Sequence, residues 1–306
     1  MIDVIEVKNC INELKKIKDN YYNTCINYYY ILDEISDYWK TSRGFAFYDV
    51  ICREKKYYLR IVDNIEDLLQ VFIYLVEKYE VIGDRIVFDF KLEDKYVGLK
   101  KSLVDSMNDI VNLYKNVNLS NFGIDLENLF DMQKNNLIKC VNNINNLCKN
   151  NRDIVNSIRD IESQVKSSLS KIDIEVVNVT DIKDYELNIN KTVDIYVTDA
   201  EKMKYVYNRS QVYINDENDM LNDINELFIK ISEFYKTENL DVIEKLECEI
   251  IIGINNILKI HKLNLDVLAK EIVNVEELER KSNDNIKNIS SMVVVDGISI
   301  GDGSIE

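Results

Sequence analysis

Apolar residues recur at alternating spacings of four and three along most of this chain. One stripe runs from Val7 to Trp39, and a second runs from Phe47 to Tyr79. Residues at this spacing share one face of an α-helix, and a repeat of about 3.5 residues favours coiled-coil-like packing. The pattern therefore predicts two long helices with a break between them at residues 41–44.

The residues at this break suit the start of a helix. The hydroxyl group of Thr41 can accept a hydrogen bond from a backbone N–H in the first turn, and Gly83 is a suitable residue to end the second helix. A short link between two amphipathic helices predicts an antiparallel hairpin, in which Trp39 covers the tip and Phe47 begins the returning stripe. Residues 1–85 are thus expected to form one helical hairpin.

Two further hairpins are predicted downstream. Residues 97–171 hold a short stripe, a break at residues 118–121, and a stripe from Leu126 to Val165 that would measure on the order of 65 Å as a helix. Residues 216–285 hold a third pair of stripes. The predicted fold class is mainly α, with three long antiparallel helical hairpins in a coiled-coil-like bundle and a small β region.

Stretches with the period of a β-strand supply the predicted β region. Apolar and polar residues alternate in residues 85–95, and again in residues 172–215, which are expected to form a small β-rich connector. Within that connector, residues 205–214 are read as either a second β-hairpin or a helix. An Asp-Gly pair favours a type I′ turn near the end of the chain, so residues 286–306 are expected to form a β-hairpin-like tail.

The third hairpin resembles the first. Residues 35–41, Ile-Ser-Asp-Tyr-Trp-Lys-Thr, match residues 231–237, Ile-Ser-Glu-Phe-Tyr-Lys-Thr, and the apolar residues before each stretch align at a constant offset. Tyr235 therefore takes the place of Trp39, the only tryptophan of the chain. Together with Thr41 and Phe47, these two aromatic residues are the predicted turn and interaction residues.

The stretch around Trp39 resembles the WXG100 (ESAT-6-like) family over roughly residues 1–85. Members of that family are small helical hairpins with a Trp-x-Gly motif in the turn, and they dimerise as four-helix bundles. Residues 39–41 here are Trp-Lys-Thr, with Thr in the place of Gly. The family's export signal is a Tyr followed four positions on by an acidic residue, whereas Tyr79 is followed at that position by Gly83. The resemblance implies an interaction role associated with secretion.

Composition narrows the partners that the chain can have. Proline is absent, only eight glycines occur, and the formal net charge is −16. An acidic surface repels phosphate groups, so nucleic-acid binding and docking on anionic lipid are not expected. No signal peptide is visible, and the longest apolar stretch, near Leu68 to Val76, is too short to span a bilayer. The abundance of Asn, Ile, Lys and Tyr is typical of a low-GC bacterium or phage.

The residues needed for catalysis are few. His261 is the only histidine, which excludes sites with several histidine ligands. Cys248 lies on the same predicted helix, about 20 Å along its axis, so the two residues cannot meet within that helix. His261 is therefore expected at a polar position of the apolar seam or at its edge. No catalytic, cofactor-binding or metal-binding residue is predicted, and the chain is not expected to be an enzyme.

The polar residues within the stripes have two interpretations. Lys18, Glu54, Gln133 and Asn151 either fix the register between helices, because a buried polar residue penalises misaligned pairings, or face water where a bundle frays. The six cysteines form no CxxC pair, so reduced thiols are expected. The chain is therefore expected to be cytoplasmic when made, with export or incorporation into a particle left open.

Long apolar seams create a large surface for binding. The sequence therefore predicts a non-enzymatic helical protein–protein interaction or scaffold protein, associated with secretion if the WXG100 resemblance holds. A structural component of a phage tail, baseplate or related injection particle is the alternative, and an enzyme with an acidic site is a third reading. The expected partners are proteins, in a homo-oligomer or a larger assembly, without nucleic acid, cofactor or membrane span.

Overall fold

The computed structural model describes residues 1–116, 126–174 and 197–295, and these residues are mainly α-helical, as the apolar stripes predict. Six of the described helices are 25 residues or longer. The elements, in chain order, are β1 (Ile2–Asp3), α1 (Val4–Asp33), α2 (Ile35–Tyr38), β2 (Trp39–Lys40), α3 (Ser42–Glu80), β3 (Arg85–Ile86), α4 (Leu92–Asn116), α5 (Leu126–Leu169), β4 (Val197–Thr198), α6 (Ala200–Phe234) and α7 (Leu240–Val295).

Side-chain caps fix the starts of three of these helices. Asp3, Thr41 and Asp199 stand just before α1, α3 and α6, and each accepts the backbone N–H of the residue three positions on, at 3.3, 3.0 and 3.0 Å. Such a bond satisfies one of the N–H groups that the first turn of a helix leaves without a partner. Thr41 thus has the capping role that the sequence predicts.

A glycine follows the end of α3. The backbone N–H groups of Ile82 and Gly83 donate to the carbonyl oxygen of Tyr79 at 2.9 and 3.0 Å. Gly83 then has a φ of 152°, a backbone conformation that favours glycine over residues with a side chain. This position agrees with the predicted end of the second helix.

The described strands are two residues long and form two small antiparallel sheets. β1 pairs with β3, with Ile2 opposite Ile86, and β2 pairs with β4, with Trp39 opposite Thr198. A single β-bridge also joins Ile2 to Tyr235. The predicted strand at residues 85–95 is therefore wrong beyond its first two residues, because the chain enters α4 at Leu92.

Two other β predictions are also wrong in the described residues. The β-rich connector expected at residues 172–215 is helix from Ala200 onward, where α6 buries Met203, Val206 and Ser210 along one face. At residues 205–214 the helical alternative is thus confirmed. Residues 286–295 continue α7 instead of starting a hairpin-like tail. Residues 175–196, residues 296–306 and the predicted break at residues 118–121 lie outside the described residues.

The chain divides into two compact units. Unit 1 consists of Met1–Asn12, Leu68–Ile172 and Phe228–Lys245, and unit 2 consists of Glu13–Asp67, Asp173–Leu227 and Leu246–Glu306. The helices α1, α3, α6 and α7 contribute residues to both units.

Each unit has its own buried core. Side chains in the core of unit 1 include Ile2, Phe72, Tyr79, Ile86, Ile158, Val165, Ile231, Tyr235 and Ile243. Those in the core of unit 2 include Leu14, Tyr21, Tyr28, Leu32, Trp39, Phe47, Tyr58, Ile61, Ile224, Ile254 and Leu268. Most of these residues belong to the apolar stripes, so the stripes mark the faces that the helices bury. None of the described helices contains an apolar segment that could cross a lipid bilayer.

Candidate interaction site

The Trp39 corner, residues 39–44 of unit 2, connects α2 to α3. Trp39 is buried, and its ring centroid lies 5.5 Å from that of Phe47. A Cβ atom placed on Gly44 would lie only 1.9 Å from the carbonyl oxygen of Trp39, so this position has no room for a side chain. The predicted turn residues Trp39, Thr41 and Phe47 thus lie together at one corner.

An open cavity of about 610 Å³ lies beside this corner. We call it the Trp39 groove, defined by Trp39, Arg43, Thr198, Glu271, Val275 and Leu278. An ion pair of 2.8 Å joins Arg43 to Glu271 across it, and the Leu278 side chain is 64% exposed. The groove is therefore an apolar surface with charged edges, open to solvent.

The Tyr235 corner, residues 235–239 of unit 1, has the same position between α6 and α7 but is covered by α5. Tyr235 and Tyr79 both donate hydrogen bonds to the Oε1 atom of Glu162. The side-chain amide of Asn239 donates to the backbone carbonyl of Glu162 at 2.9 Å. Arg159 forms an ion pair with Glu238 at 3.1 Å. Tyr235 thus lies at the predicted turn, where it contacts another helix of the same chain.

Burial keeps both tyrosines of this corner protonated. Burial raises the pKa of Tyr79, with further contributions from Tyr235 and Glu162. Burial also raises the pKa of Tyr235 well above its usual value, and the Glu162 carboxylate adds to that shift. The two hydroxyl groups therefore remain hydrogen-bond donors to Glu162, whose second oxygen, Oε2, is buried without a hydrogen-bond partner.

The two corners share their local geometry at a constant offset of 196 residues, the separation of Trp39 and Tyr235. Trp39 pairs with Thr198, two residues before α6, and Tyr235 bridges to Ile2, two residues before α1. Ile2 and Thr198 are themselves separated by the same offset. The sequence similarity of residues 35–41 and 231–237 thus extends to the structure.

Further residues repeat at the same offset. The capping residues Asp3 and Asp199 are 196 residues apart. The ion pair of Lys8 with Glu80 repeats at the same offset as the ion pair of Lys204 with Glu276. Buried positions repeat as well, in residues that include the pairs Val7 and Met203, Leu14 and Ser210, Tyr21 and Glu217, Phe47 and Ile243, Tyr58 and Ile254, Ile65 and His261, and Leu68 and Asn264. The chain therefore contains an internal structural repeat, of residues 2–80 in residues 198–276.

Unit 2 also contains a buried polar cluster centred on Glu217. Its Oε2 atom lies 2.7 Å from Nδ1 of His261, and its Oε1 atom accepts a hydrogen bond from the Cys25 thiol at 2.9 Å. The other ring nitrogen of His261, Nε2, lies 3.0 Å from the Tyr29 hydroxyl. The Tyr28 ring packs on His261, with centroids 4.0 Å apart. His261 thus occupies a polar position in the core, as the sequence predicts.

A second carboxylate lies in the same core. Glu54 accepts a hydrogen bond from the side-chain amide of Asn264 at 2.6 Å, and both residues are buried. Burial raises the pKa of the Cys25 thiol well above its usual value, and the Glu217 carboxylate adds to the shift. Because His261 is fully buried and the Cys25 thiol is held protonated, neither group is placed to react with a molecule from solvent.

The four polar residues in the apolar stripes have different environments. Glu54 is buried beside Asn264, and Asn151 exchanges two hydrogen bonds of 2.8 Å with the backbone of Asp89. Lys18 forms an ion pair with Glu66 at 2.6 Å, whereas Gln133 is exposed. Register control therefore fits Glu54 and Asn151, and exposure to water fits Gln133.

The cysteines and the possible metal ligands form no reactive site among the described residues. Cys248 is exposed, whereas His261 is buried beside Glu217, so the two do not share an environment. All six cysteines lie in described residues, and none forms a disulfide. In the described ranges, no group of three His, Cys, Asp or Glu residues is placed to hold a metal ion.

A comparison of the chain with models of protein families, with curated proteins and with solved structures finds no match.

Proposed function

We propose that this chain is a non-enzymatic scaffold protein that binds other protein chains through its α4–α5 pair, most directly a second copy of itself. The observation that carries the proposal is the exposure of this pair. Between Leu92 and Ile154, none of the residues whose exposure the structure describes is buried. Long helices seldom remain stable in water without an apolar face to bury, so this pair is suited to gain stability from a partner.

One face of α5 is used by α4. Residues of intermediate exposure on α5 repeat at spacings of three and four, at positions that include Phe130, Leu137, Val141 and Ile144. The two helices pack against each other within unit 1. A pair of helices can cover only one face of each member, so the rest of the surface of each helix remains available.

The available face of α5 carries exposed apolar residues. We call it the α5 outer face, defined by Leu129, Met132, Cys140 and Leu147, which project within roughly 80° of one another at about 100° per residue. Leu129, Met132 and Leu147 are 46, 51 and 48% exposed. Burying such side chains stabilises an interface by about 1.5–3 kcal/mol each when burial is complete. A row of them on a helix indicates an interface with another chain.

The proposal includes three antiparallel helical hairpins. In the first hairpin, the contacts between α1 and α3 run in opposite directions along the two helices, as in the pairs Lys18 with Glu66 and Tyr21 with Tyr58 of unit 2. The residue number on α3 falls as the number on α1 rises. This order supports an antiparallel pair, in which Trp39 and Phe47 pack at the turn.

The test of the proposed function is the mass of the chain in solution. We expect the wild-type protein to have a mass that is a multiple of 35.9 kDa by size-exclusion chromatography with light scattering. The double variant Leu129→Glu/Leu147→Glu is expected to return to the monomer mass, because charges on the α5 outer face oppose its burial.

The matched control is Tyr205→Glu/Ile229→Glu, which places two charges at positions of α6 that are 53 and 54% exposed. It is expected to keep the wild-type mass. A wild-type chain that stays monomeric up to high micromolar concentration would contradict the proposed self-association, as would an α5 variant with an unchanged mass.

A further inference from the structure

The internal repeat places two equivalent corners in one chain, of which one is covered by α5 and one lies beside an open cavity. At the Tyr235 corner, α5 contacts Tyr235, Asn239 and Glu238 through Glu162 and Arg159. At the Trp39 corner, the positions equivalent to Tyr235 and Asn239 are Trp39 and Arg43, and both line the open groove. The repeat thus shows that a helix fits over this kind of corner.

The Tyr235 corner and the Trp39 groove differ at the position where Glu162 contacts the Tyr235 corner. The Glu162 carboxylate is held by hydroxyl groups of Tyr79 and Tyr235. The equivalent residues in the groove are Val275 and Trp39, which are buried and have no hydroxyl group to hold a carboxylate. A helix that covers the Trp39 groove should therefore present apolar side chains where α5 presents Glu162 at the Tyr235 corner.

We propose that the Trp39 groove binds the α5 outer face of a second copy of this chain. The inference rests on the proposed function, to which it adds the receiving surface. Leu129, Met132 and Leu147 supply apolar side chains that can pack on Leu278, the groove residue that is 64% exposed. The exposed Leu278 side chain becomes buried in this contact.

Charge favours this occupant. Residues 126–150 of α5 are slightly basic, with three basic residues (Lys134, Lys139, Lys149) against two acidic ones (Glu127, Asp131). Residues 271–284 of α7, beside the groove, remain slightly acidic when Arg43 and Lys204, the ion-pair partners of Glu271 and Glu276, are included, with five acidic residues (Glu271, Glu276, Glu277, Glu279, Asp284) against four basic ones (Arg43, Lys204, Arg280, Lys281). Opposite local charges allow a close approach between copies of a chain whose formal net charge is −16.

The proposed contact joins two different surfaces. The α5 outer face of one copy binds the groove of the next, so the interface is heterologous and each copy retains one free surface of each kind until the assembly closes. Such contacts build a ring or an extended chain of copies. The expected masses therefore increase with protein concentration until a ring closes.

The first test compares two substitutions on α7 by light scattering. Leu278→Glu places a charge in the groove, and Val273→Glu places one outside the groove lining at a residue of similar exposure, 61% against 64%. We expect Leu278→Glu to shift the concentration for half-association at least tenfold upward, whereas Val273→Glu leaves it within about twofold of the wild-type value.

The second test identifies the surface that enters the groove. In a background with Cys52→Ser and Cys248→Ser, the variant Leu278→Cys is treated with a short bismaleimide linker. Because Cys140 is exposed on the α5 outer face, we expect a cross-link between Cys140 of one copy and the new thiol of another, identified by mass spectrometry of the dimer band. The variant Val273→Cys in the same background should give no such link.

The outcomes separate the two proposals. If Leu129→Glu/Leu147→Glu is monomeric while Leu278→Glu associates like the wild type, the groove inference is wrong and the proposed function stands. If the α5 variant keeps the wild-type mass, the proposed function is wrong and the groove inference falls with it. If Cys140 forms a cross-link with the Val273→Cys variant but not with the Leu278→Cys variant, the groove is not the receiving surface.

Discussion

At Gly44, the carbonyl oxygen of Trp39 occupies the space that a side chain would need. The close approach allows α3 to begin directly after the corner, while Thr41 caps its first turn. A glycine inside a helix is ordinarily unfavourable by about 0.5–1 kcal/mol relative to alanine. The cost at Gly44 is offset by the packing of Trp39 against Phe47.

The substitution Gly44→Ala is therefore expected to destabilise the protein. A Cβ atom 1.9 Å from a backbone oxygen forces the corner to shift, which should lower the free energy of unfolding by about 1–3 kcal/mol. The matched control is Gly98→Ala in α4, where a Cβ atom meets nothing within 4 Å and a gain of about 0.5–1 kcal/mol is expected. Urea titrations followed by helical circular dichroism measure both, and equal effects of the two substitutions would contradict this account.

Residue types in the sequence predict some positions of the candidate site and miss others. The cap at Thr41 follows from a local rule, and the structure confirms it. The contacts of Glu217 with Cys25 and His261 join residues that are far apart in sequence, so no local pattern announces them. Their one sequence signal is a polar residue within an apolar stripe, and this signal points to Glu54 and His261 but not to Glu217.

At the scale of elements, buried polar contacts specify how α3 and α7 meet. Glu54 on α3 accepts a hydrogen bond from Asn264 on α7 in the core of unit 2. A shift in the register of either helix would separate this donor from this acceptor. A buried polar group without its partner destabilises a fold by about 1–3 kcal/mol, so the contact penalises other arrangements.

A double-mutant cycle measures this contact. With Glu54→Leu, Asn264→Leu and the combined variant, we expect a coupling free energy of about 1–3 kcal/mol from urea unfolding, because both groups are buried. The same cycle on the exposed ion pair Lys204 and Glu276 should give less than about 1 kcal/mol. A buried coupling no larger than the exposed one would show that Glu54 does not specify the pairing of α3 with α7.

Helix positions were predicted better than strand positions. Apolar stripes at spacings of four and three were confirmed as helices in α1, α3 and α5, since amphipathic period is a strong signal over many residues. Short alternating runs predict a β-hairpin or a helix at residues 205–214 and a strand at residues 292–295, and the structure has helix in both places. In both places the alternating run is part of a longer helix. Adding a residue to an existing helix costs far less free energy than starting a new element.

At the scale of the molecule, burial of tyrosine hydroxyl groups couples folding to alkaline pH. Burial raises the pKa of Tyr21, Tyr28, Tyr29, Tyr58, Tyr79 and Tyr235 above the usual value. The folded state then holds these protons more tightly than the unfolded state does. The resulting stability is present below the usual tyrosine pKa of about 10 and is lost as the pH rises above it.

We therefore expect a cooperative alkaline transition. As the pH rises past about 10, the free energy of unfolding should fall by about 1.4 kcal/mol per pH unit for each buried tyrosine that ionises only on unfolding. Tyrosinate absorbance near 295 nm and helical circular dichroism should then change together. Complete tyrosinate formation with the helices intact would contradict the burial of these hydroxyl groups.

The repeat at an offset of 196 residues has a consequence for how this sequence can change over evolutionary time. Trp39 lies in the first half of the repeat and pairs with Thr198, at the start of the second half. Tyr235 lies in the second half and forms a β-bridge to Ile2, at the start of the first half. Each half thus completes the turn of the other. A substitution at Ile2 or Thr198 is therefore expected to disturb a corner in the other half, so changes in one half are tolerated only where they preserve the pairing with the other.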